Sequence, residues 1–328
     1  MPGCPRAARP GSVAGGLARG SGDALDQTLL AGDQAFDRED FDTAQRHYRR
    51  AAELAPDDPR PPVGLVRLRL ARSGVPTSFG AGSGHPLLRE LLRELDQILE
   101  RHPGHGQVQL ERGRVALILG EAETARAALQ QAARLLPCDA EAQSAYGVAL
   151  LATGGKYEAL RHLRRSALLD PDNPDRLANL GTAQLTVGRV AEAIRAYRRA
   201  AELAPDDARA NGDLGTAYLA ANDPDHALPH LQRAVRLAPD RATFLSNLGY
   251  AEQLLGRYEQ AIATYRRALD LDEQLVEAWV NLGTVLARLR RYDEAGQALD
   301  RAAAIAPDDP RVRANQVELE QLRPQSSE

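Results

Sequence analysis

Small and apolar residues return along the chain at a single interval. Glycine stands at Gly113, Gly147, Gly181, Gly215, Gly249 and Gly283, each 34 residues from the next. Alanine follows at Ala125, Ala159, Ala193, Ala227, Ala261 and Ala295, and a third small column runs through Ala132, Ser166, Ala200, Ala234, Ala268 and Ala302. Proline closes each period at Pro103, Pro137, Pro171, Pro205, Pro239 and Pro307, with Glu273 taking the one place it skips. A fixed 34-residue period means stacked repeats and excludes one closed core for the whole length.

Counting each repeat as ending two residues after its proline gives 106–139, 140–173, 174–207, 208–241, 242–275 and 276–309. The glycine column is then position 8, and the small columns are positions 20 and 27. The apolar spacing predicts two short helices per repeat, A over positions 2–14 and B over 18–31, with a turn near position 15. Gly154, Gly188 and Gly256 sit at that turn, where a helix end often needs positive φ. Glycine at position 8 is expected to face alanine at position 20, letting the two axes approach, while position 27 does the same between repeats. Leu180, Leu214, Leu248 and Leu282 at position 7, with Tyr197 or Tyr265 at position 24, fill the remaining volume. The proline ends helix B, and the acid after it can cap the next helix A.

These columns resemble the tetratricopeptide repeat family. Asn179-Leu180-Gly181, Gly188, Ala193, Tyr197, Ala200 and Pro205 follow its signature, as does the run from Trp279 to Gly283. The resemblance covers 106–309. Two more repeats are expected upstream. One is 25–58, with Gly32, Ala44, Tyr48, Ala51 and Pro56 in register. The other is 59–105, enlarged by a glycine-rich loop at 74–86 that reads as disordered. In that repeat Val66, Leu91 and Ile98 replace the small residues, so its helices must sit further apart. Residues 310–323 read as a single amphipathic capping helix, where Val317 replaces glycine because no partner helix follows. The expected fold is thus all-α: a right-handed α-solenoid superhelix of about eight helix-turn-helix repeats over 25–309 plus the cap. A disordered tail over 1–24 precedes it and a short tail over 324–328 follows.

Composition narrows the function. Hydrophobic residues make up 43% but aromatics only 4%, so small and aliphatic side chains do the packing. With 41 basic and 45 acidic residues the net charge is −4, which argues against nucleic acid or an anionic membrane as partner. Lys156 is the single lysine among the basic residues. Cys4 and Cys138 are too few for a disulfide framework, and no apolar run is long enough to span a bilayer. Residues 1–24 lack the apolar core of a secretion signal; a transit peptide is the competing reading, and the expected compartment is the cytoplasm.

The family resemblance implies that positions 2, 5, 6, 9, 12 and 13 of helix A line a concave wall. Position 6 carries Asn179, Asp213, Asn247 and Asn281, continued by Asn315 on the cap helix. An asparagine amide both donates and accepts, so such a column can hold an extended peptide by its backbone. It resembles the asparagine ladder of the O-linked N-acetylglucosamine transferase superhelix; the alternative is a consensus residue facing water. Asp213 interrupts the column, and Glu111 and Ala145 stand there further upstream, so a groove is best formed from 174 to 315. Thr182, Thr216, Tyr250 and Thr284 at position 9 would read side chains. Position 5 holds Ala178, Gly212, Ser246 and Val280, which excludes the carboxylate clamp of the family's co-chaperones.

Other clusters read as surface. Paired arginines, Arg49-Arg50, Arg164-Arg165, Arg198-Arg199 and Arg266-Arg267, form a ridge on helix B that is expected to meet nearby acids. His226 with His230, and His102 with His105, lack a third metal ligand. No phosphate loop, zinc-hydrolase or dinucleotide motif occurs, so neither cofactor nor catalytic residue is expected. The function implied is a non-enzymatic adaptor that binds another protein through an extended peptide or helix. The alternatives are a substrate-recruiting subunit beside a separate enzyme such as a glycosyltransferase, and, less favoured, an enzyme in its own right. Self-association is compatible with any of them.

Overall fold

The computed structural model describes residues 16–322, which form seventeen α-helices and no strand. None of these helices is long and apolar enough to cross a membrane. The chain divides into two compact units that meet at Val187 and Gly188. The first unit holds α1 (Ala24–Asp37), α2 (Phe41–Leu54), α3 (Arg60–Arg72), α4 (Pro86–Arg101), α5 (Gly106–Leu119), α6 (Ala122–Leu135), α7 (Ala140–Ala152), α8 (Lys156–Leu169) and α9 (Pro174–Thr186). The second holds α10 (Val190–Leu203), α11 (Ala208–Ala220), α12 (Pro224–Leu237), α13 (Ala242–Leu254), α14 (Tyr258–Leu271), α15 (Val276–Arg288), α16 (Tyr292–Ile305) and α17 (Pro310–Leu322). Within each unit consecutive helices pack on one another, α3 and α4 excepted, and successive A helices, such as α5 with α7 or α11 with α13, also touch.

Local chemistry starts and stops these helices as the repeat pattern requires. Asp139, Asn173 and Asp207, just before α7, α9 and α11, accept hydrogen bonds from first-turn amides. At position 15 the backbone turns left-handed: φ is +81° at Gly120, +83° at Gly154, +77° at Gly188 and +73° at Gly256. In three repeats the same turn is made without glycine, by Glu39 (φ +60°), Asn222 (+55°) and Arg290 (+60°). Asparagine tolerates this region; glutamate and arginine do so with a Cβ crowding the following carbonyl.

The position-8 glycines have a different neighbour from the one the columns suggested. A Cβ on Gly32, Gly113, Gly147, Gly215, Gly249 or Gly283 would lie 2.3–2.8 Å from Tyr48, Leu129, Leu163, Leu231, Tyr265 or Leu299 respectively. All six are position-24 side chains. Position 20 comes second, through its carbonyl: Ala227 O would be 3.3 Å from a Cβ on Gly215, and Ala295 O 3.4 Å from one on Gly283. Glycine inside a helix costs about 1 kcal/mol against alanine, whereas fully burying a leucine contributes about 1.5–3 kcal/mol. Emptying position 8 to seat position 24 is therefore favourable in these six repeats. Tyr48 and Tyr265 are both fully buried, and their hydroxyls donate at 2.8 Å to Asp33 Oδ1 and Gln253 Oε1.

In the second repeat α3 and α4 scarcely touch; α3 packs on α2 and α5, and α4 packs on α5. Bulky Val66, Leu91 and Ile98, all buried, hold the pair apart as expected. The loop over 74–86 is not the disordered excursion its glycines suggested. Gly80 N and Gly82 N donate at 2.9 Å to Leu117 O and Ile118 O, satisfying carbonyls at the end of α5. Gly82 is buried so tightly that a Cβ would lie 2.3 Å from Leu88. The N-terminal tail also ends earlier than expected. Leu17 is buried, and residues 17–21 are tied to Asp26 and Asp33, because one apolar side chain and two carboxylates give this stretch something to bind. Residues 1–15 and 323–328, which include the rest of that tail, the C-terminal tail and Cys4, lie outside the described residues. On α17, Val312 and Leu319 are buried while Val317 is 53% exposed.

The non-glycine turns make a testable point. Arg290→Gly and Glu39→Gly should each raise stability to urea by about 0.5–1 kcal/mol by relieving a left-handed Cβ, while Arg290→Val should lower it. A glycine variant less stable than wild type would show that these turns carry no strain.

Candidate functional site

In the second unit the polar residues of the A helices are tied to one another across repeats. Positions 6 and 9 lie one helical turn apart, so position 6 of one A helix comes level with position 9 of the A helix before it. Asn247 Nδ2 on α13 donates to Thr216 Oγ1 on α11 at 2.9 Å, and the Thr216 hydroxyl donates to Gly212 O at 2.8 Å. The Thr284 hydroxyl on α15 stands 2.8 Å from Asn315 Oδ1 on α17 and 2.9 Å from Val280 O. Asn315 Nδ2 in turn donates to Arg311 O at 2.8 Å. Asn247, Asn281 and Asn315 are all half-buried, and Tyr250 is exposed. Asn281 differs in its partner, reaching the hydroxyl of buried Tyr265 on α14.

Asp213 occupies position 6 on α11 and is half-buried. Burial pushes its pKa up to about 6, against the pull of Arg209, whose Nε lies 3.6 Å away. A protonated carboxyl donates and accepts as an asparagine amide does, so at mildly acidic pH this residue takes on the hydrogen-bonding character of its column.

The first unit arranges the same face differently. Asn179 Nδ2 on α9 donates to Ser144 Oγ on α7 at 3.1 Å, and the Thr182 hydroxyl donates to Ala178 O at 3.1 Å. Ahead of them runs a ladder of alternating charge. Arg67 bridges Asp33 (3.7 Å) and Glu111 (3.5 Å), Arg114 bridges Glu111 (3.2 Å) and Glu141 (3.7 Å), and Arg176 pairs with Glu141. Burial works against the Glu141 carboxylate, but Arg114 and Arg176 outweigh it and hold its pKa below the usual range. Sequence reasoning passed over this ladder. Its signal was the alternation of Asp33, Arg67 and Arg114 at position 9 with Glu111 at position 6.

Several of the paired helix-B arginines are engaged within the chain. Arg50 pairs with Glu53 (2.7 Å), Arg199 with Glu202 (3.4 Å) and Arg266 with Glu294 (2.9 Å), and Arg198 donates to the Tyr218 hydroxyl. Such exposed pairs add little stability. The His226 ring lies 2.8 Å from Asp223 Oδ2 and stacks on Tyr218 beside His230. His105 meets Arg19 at 2.9 Å, and burial together with that charge pushes its pKa down to about 4.

The repeated helix pair, the left-handed turn at position 15 and the glycine seat at position 8 together define the family, and the tetratricopeptide repeat model matches residues 92–140, 147–208, 178–242, 212–276 and 255–310. The chain belongs to the tetratricopeptide repeat family. This fold is generally a non-catalytic scaffold for protein interaction, and no catalytic family is indicated. Among solved structures, the tetratricopeptide chain is similar to the Cut9–Hcn1 hetero-tetramer of the APC/C, at 19% identity and a TM-score of 0.69. That match covers 92% of this chain but 57% of the other, so the chain spans little over half of that relative's length. It is also similar to pilF of Pseudomonas aeruginosa, at 19% identity and a TM-score of 0.56, covering 67% of this chain and 99% of that one. At such identities the likeness is one of fold. No curated protein matches.

Asp213 offers a direct check on the face. Its folded pKa lies above the ordinary carboxylate value, so its contribution to stability is fully present below pH 4 and is lost as pH rises through about 6. Asp213→Asn should therefore be more stable than wild type at pH 7.5, by on the order of 1–2 kcal/mol, and equal to it near pH 4. Urea midpoints that differ by the same amount at both pH values would contradict the buried-carboxyl reading.

Proposed function

We propose that this tetratricopeptide chain is a non-catalytic adaptor that holds an extended segment or helix of another protein against the A-helix face of α11, α13, α15 and α17. Asp213, Asn247, Asn281 and Asn315 hold the partner's backbone, and Thr216, Tyr250 and Thr284 flank it. One observation carries the reading. The Asn247 amide is fixed by its bond to Thr216, while its carbonyl oxygen has no protein partner among the described residues, so an acceptor stands preoriented on the face. Asn179 and Thr182 bear the same pattern on α9, and the A face ahead of them is largely neutralised by its own charge ladder. Cut9–Hcn1 is an assembly by its own description, in keeping with a role in holding other chains.

The test is affinity capture from native lysate with wild type and the Asn247→Ala, Asn281→Ala double variant in parallel. The double variant loses the Asn247–Thr216 bond and the Asn281 contact with the Tyr265 hydroxyl, at a cost of about 1 kcal/mol each, so it remains folded. A partner held by wild type should be lost by at least tenfold from the variant. Equal capture by both would remove the asparagine column from the binding surface.

A further inference from the structure

The chain places its own residues 16–21 on the A-helix face of its first three repeats. Here the segment has no helical structure and is held mainly by its backbone. Leu17 N and Ala18 N donate to Asp33 Oδ2 at 2.6 and 3.2 Å, and Arg19 N and Ser21 N donate to Asp26 Oδ1 and Oδ2 at 2.5 and 2.9 Å. In the other direction, Gln107 Nε2 donates to Gly16 O at 3.2 Å, and Arg60 approaches Leu17 O at 3.5 Å. Asp26, Arg60 and Gln107 are position 2 of three successive repeats, and Asp33 is position 9 of the first, so the receiving residues repeat as the fold does.

Two side chains of the segment are read as well. Leu17 is 1% exposed and belongs to the same apolar cluster as Leu29, Val63 and Val108. Arg19 meets His105 Nε2 at 2.9 Å. Gly20 and Gly22 hold φ of +76° and +77°, so glycine there suits the turn into α1. Asp26 and Asp33 are 3% and 1% exposed, and their acceptor oxygens are met largely by amides of this segment. Two buried carboxylates thus call for a main-chain occupant, beside a pocket shaped for one leucine.

We propose that the A-helix face of α1, α3 and α5 is a peptide-binding groove, occupied in cis by residues 16–21, that takes an external segment of the pattern small–Leu–small–Arg when the cis segment leaves. The occupant is a peptide of another protein with that pattern. The tethered segment competes at high effective concentration, so external binding is weak until it is released. This groove is separate from the asparagine face of the second unit and stands or falls independently of it.

The experiment uses the full-length chain and a fluorescein-labelled synthetic peptide of residues 14–22, followed by fluorescence anisotropy. Leu17→Asp removes the cis anchor, and its fold is checked by circular dichroism. Saturable binding to Leu17→Asp is expected, at least tenfold tighter than to wild type. It should weaken at least tenfold when alanine replaces the peptide's leucine, or when Asp33→Asn is added to the chain. A folded Leu17→Asp chain that ignores the peptide overturns the proposal. Hydrogen exchange on wild type gives a second route should that variant not fold. Excess peptide should speed exchange of the Leu17 and Ala18 amides while α1 and α5 stay protected; unchanged exchange overturns the proposal. Wild type that is dimeric by light scattering, with those amides protected in the dimer alone, contradicts cis occupancy in favour of exchange between copies.

Discussion

The pairing of helices along most of the stack depends on the room left at position 8 of the A helices that carry glycine there. With no side chain there, the position-24 leucine or tyrosine of helix B can lie directly against the helix-A backbone, and the two helices become one unit. Gly147 and Leu163 show the constraint most plainly, since a Cβ on the glycine would stand 2.4 Å from the leucine Cγ and meets no other residue as closely. A repeat of 34 residues has too little apolar surface to be stable alone, so this contact must recur and each pair must also pack on the next. The second repeat shows what happens without it. Val66 fills position 8, α3 and α4 lie apart, and each finds its partner in α2 or α5 instead.

With the helix pairs set, the A helices present their polar residues in rows, and the two units use those rows differently. In the first, acids and arginines alternate from Asp33 to Arg176 and neutralise one another. In the second, hydroxyls and amides replace the charges, and Asn247 with Thr216 or Asn315 with Thr284 forms a neutral stitch between successive A helices. A stitched amide has already lost conformational freedom, which under the proposed function would reduce the entropy lost when a partner binds. The same residues therefore brace the stack and preorient a polar face.

Much of this architecture was legible in the chain itself. The period, the helix pairs and the positive-φ turn at Gly154, Gly188 and Gly256 follow from spacing and from rules that act within a few residues. What escaped depends on the rotation of one helix against another. The neighbour of Gly147 is Leu163 rather than Ala159 because the B helix presents position 24 inward, which a column of small residues does not reveal. The Asn247–Thr216 bond spans 31 residues and requires two A helices to be level. The docking of Gly80 and Gly82 on the end of α5, and of Leu17 beside Asp33, joins glycine-rich segments to distant acceptors, where composition alone points to disorder. At the candidate site the residue types were visible, but not that several of them bond to each other.

The central claim is that position 8 is empty for the sake of position 24, and a double-mutant cycle on Gly147 and Leu163 tests it most directly. Gly147→Ala, Leu163→Ala and the double variant would be compared with wild type by urea denaturation. Gly147→Ala should destabilise the wild-type background by about 1–3 kcal/mol through overpacking, and should cost little or nothing once Leu163 is alanine. Equal losses in both backgrounds would mean that the glycine answers to some other neighbour, and the account of how these helices pair would be wrong.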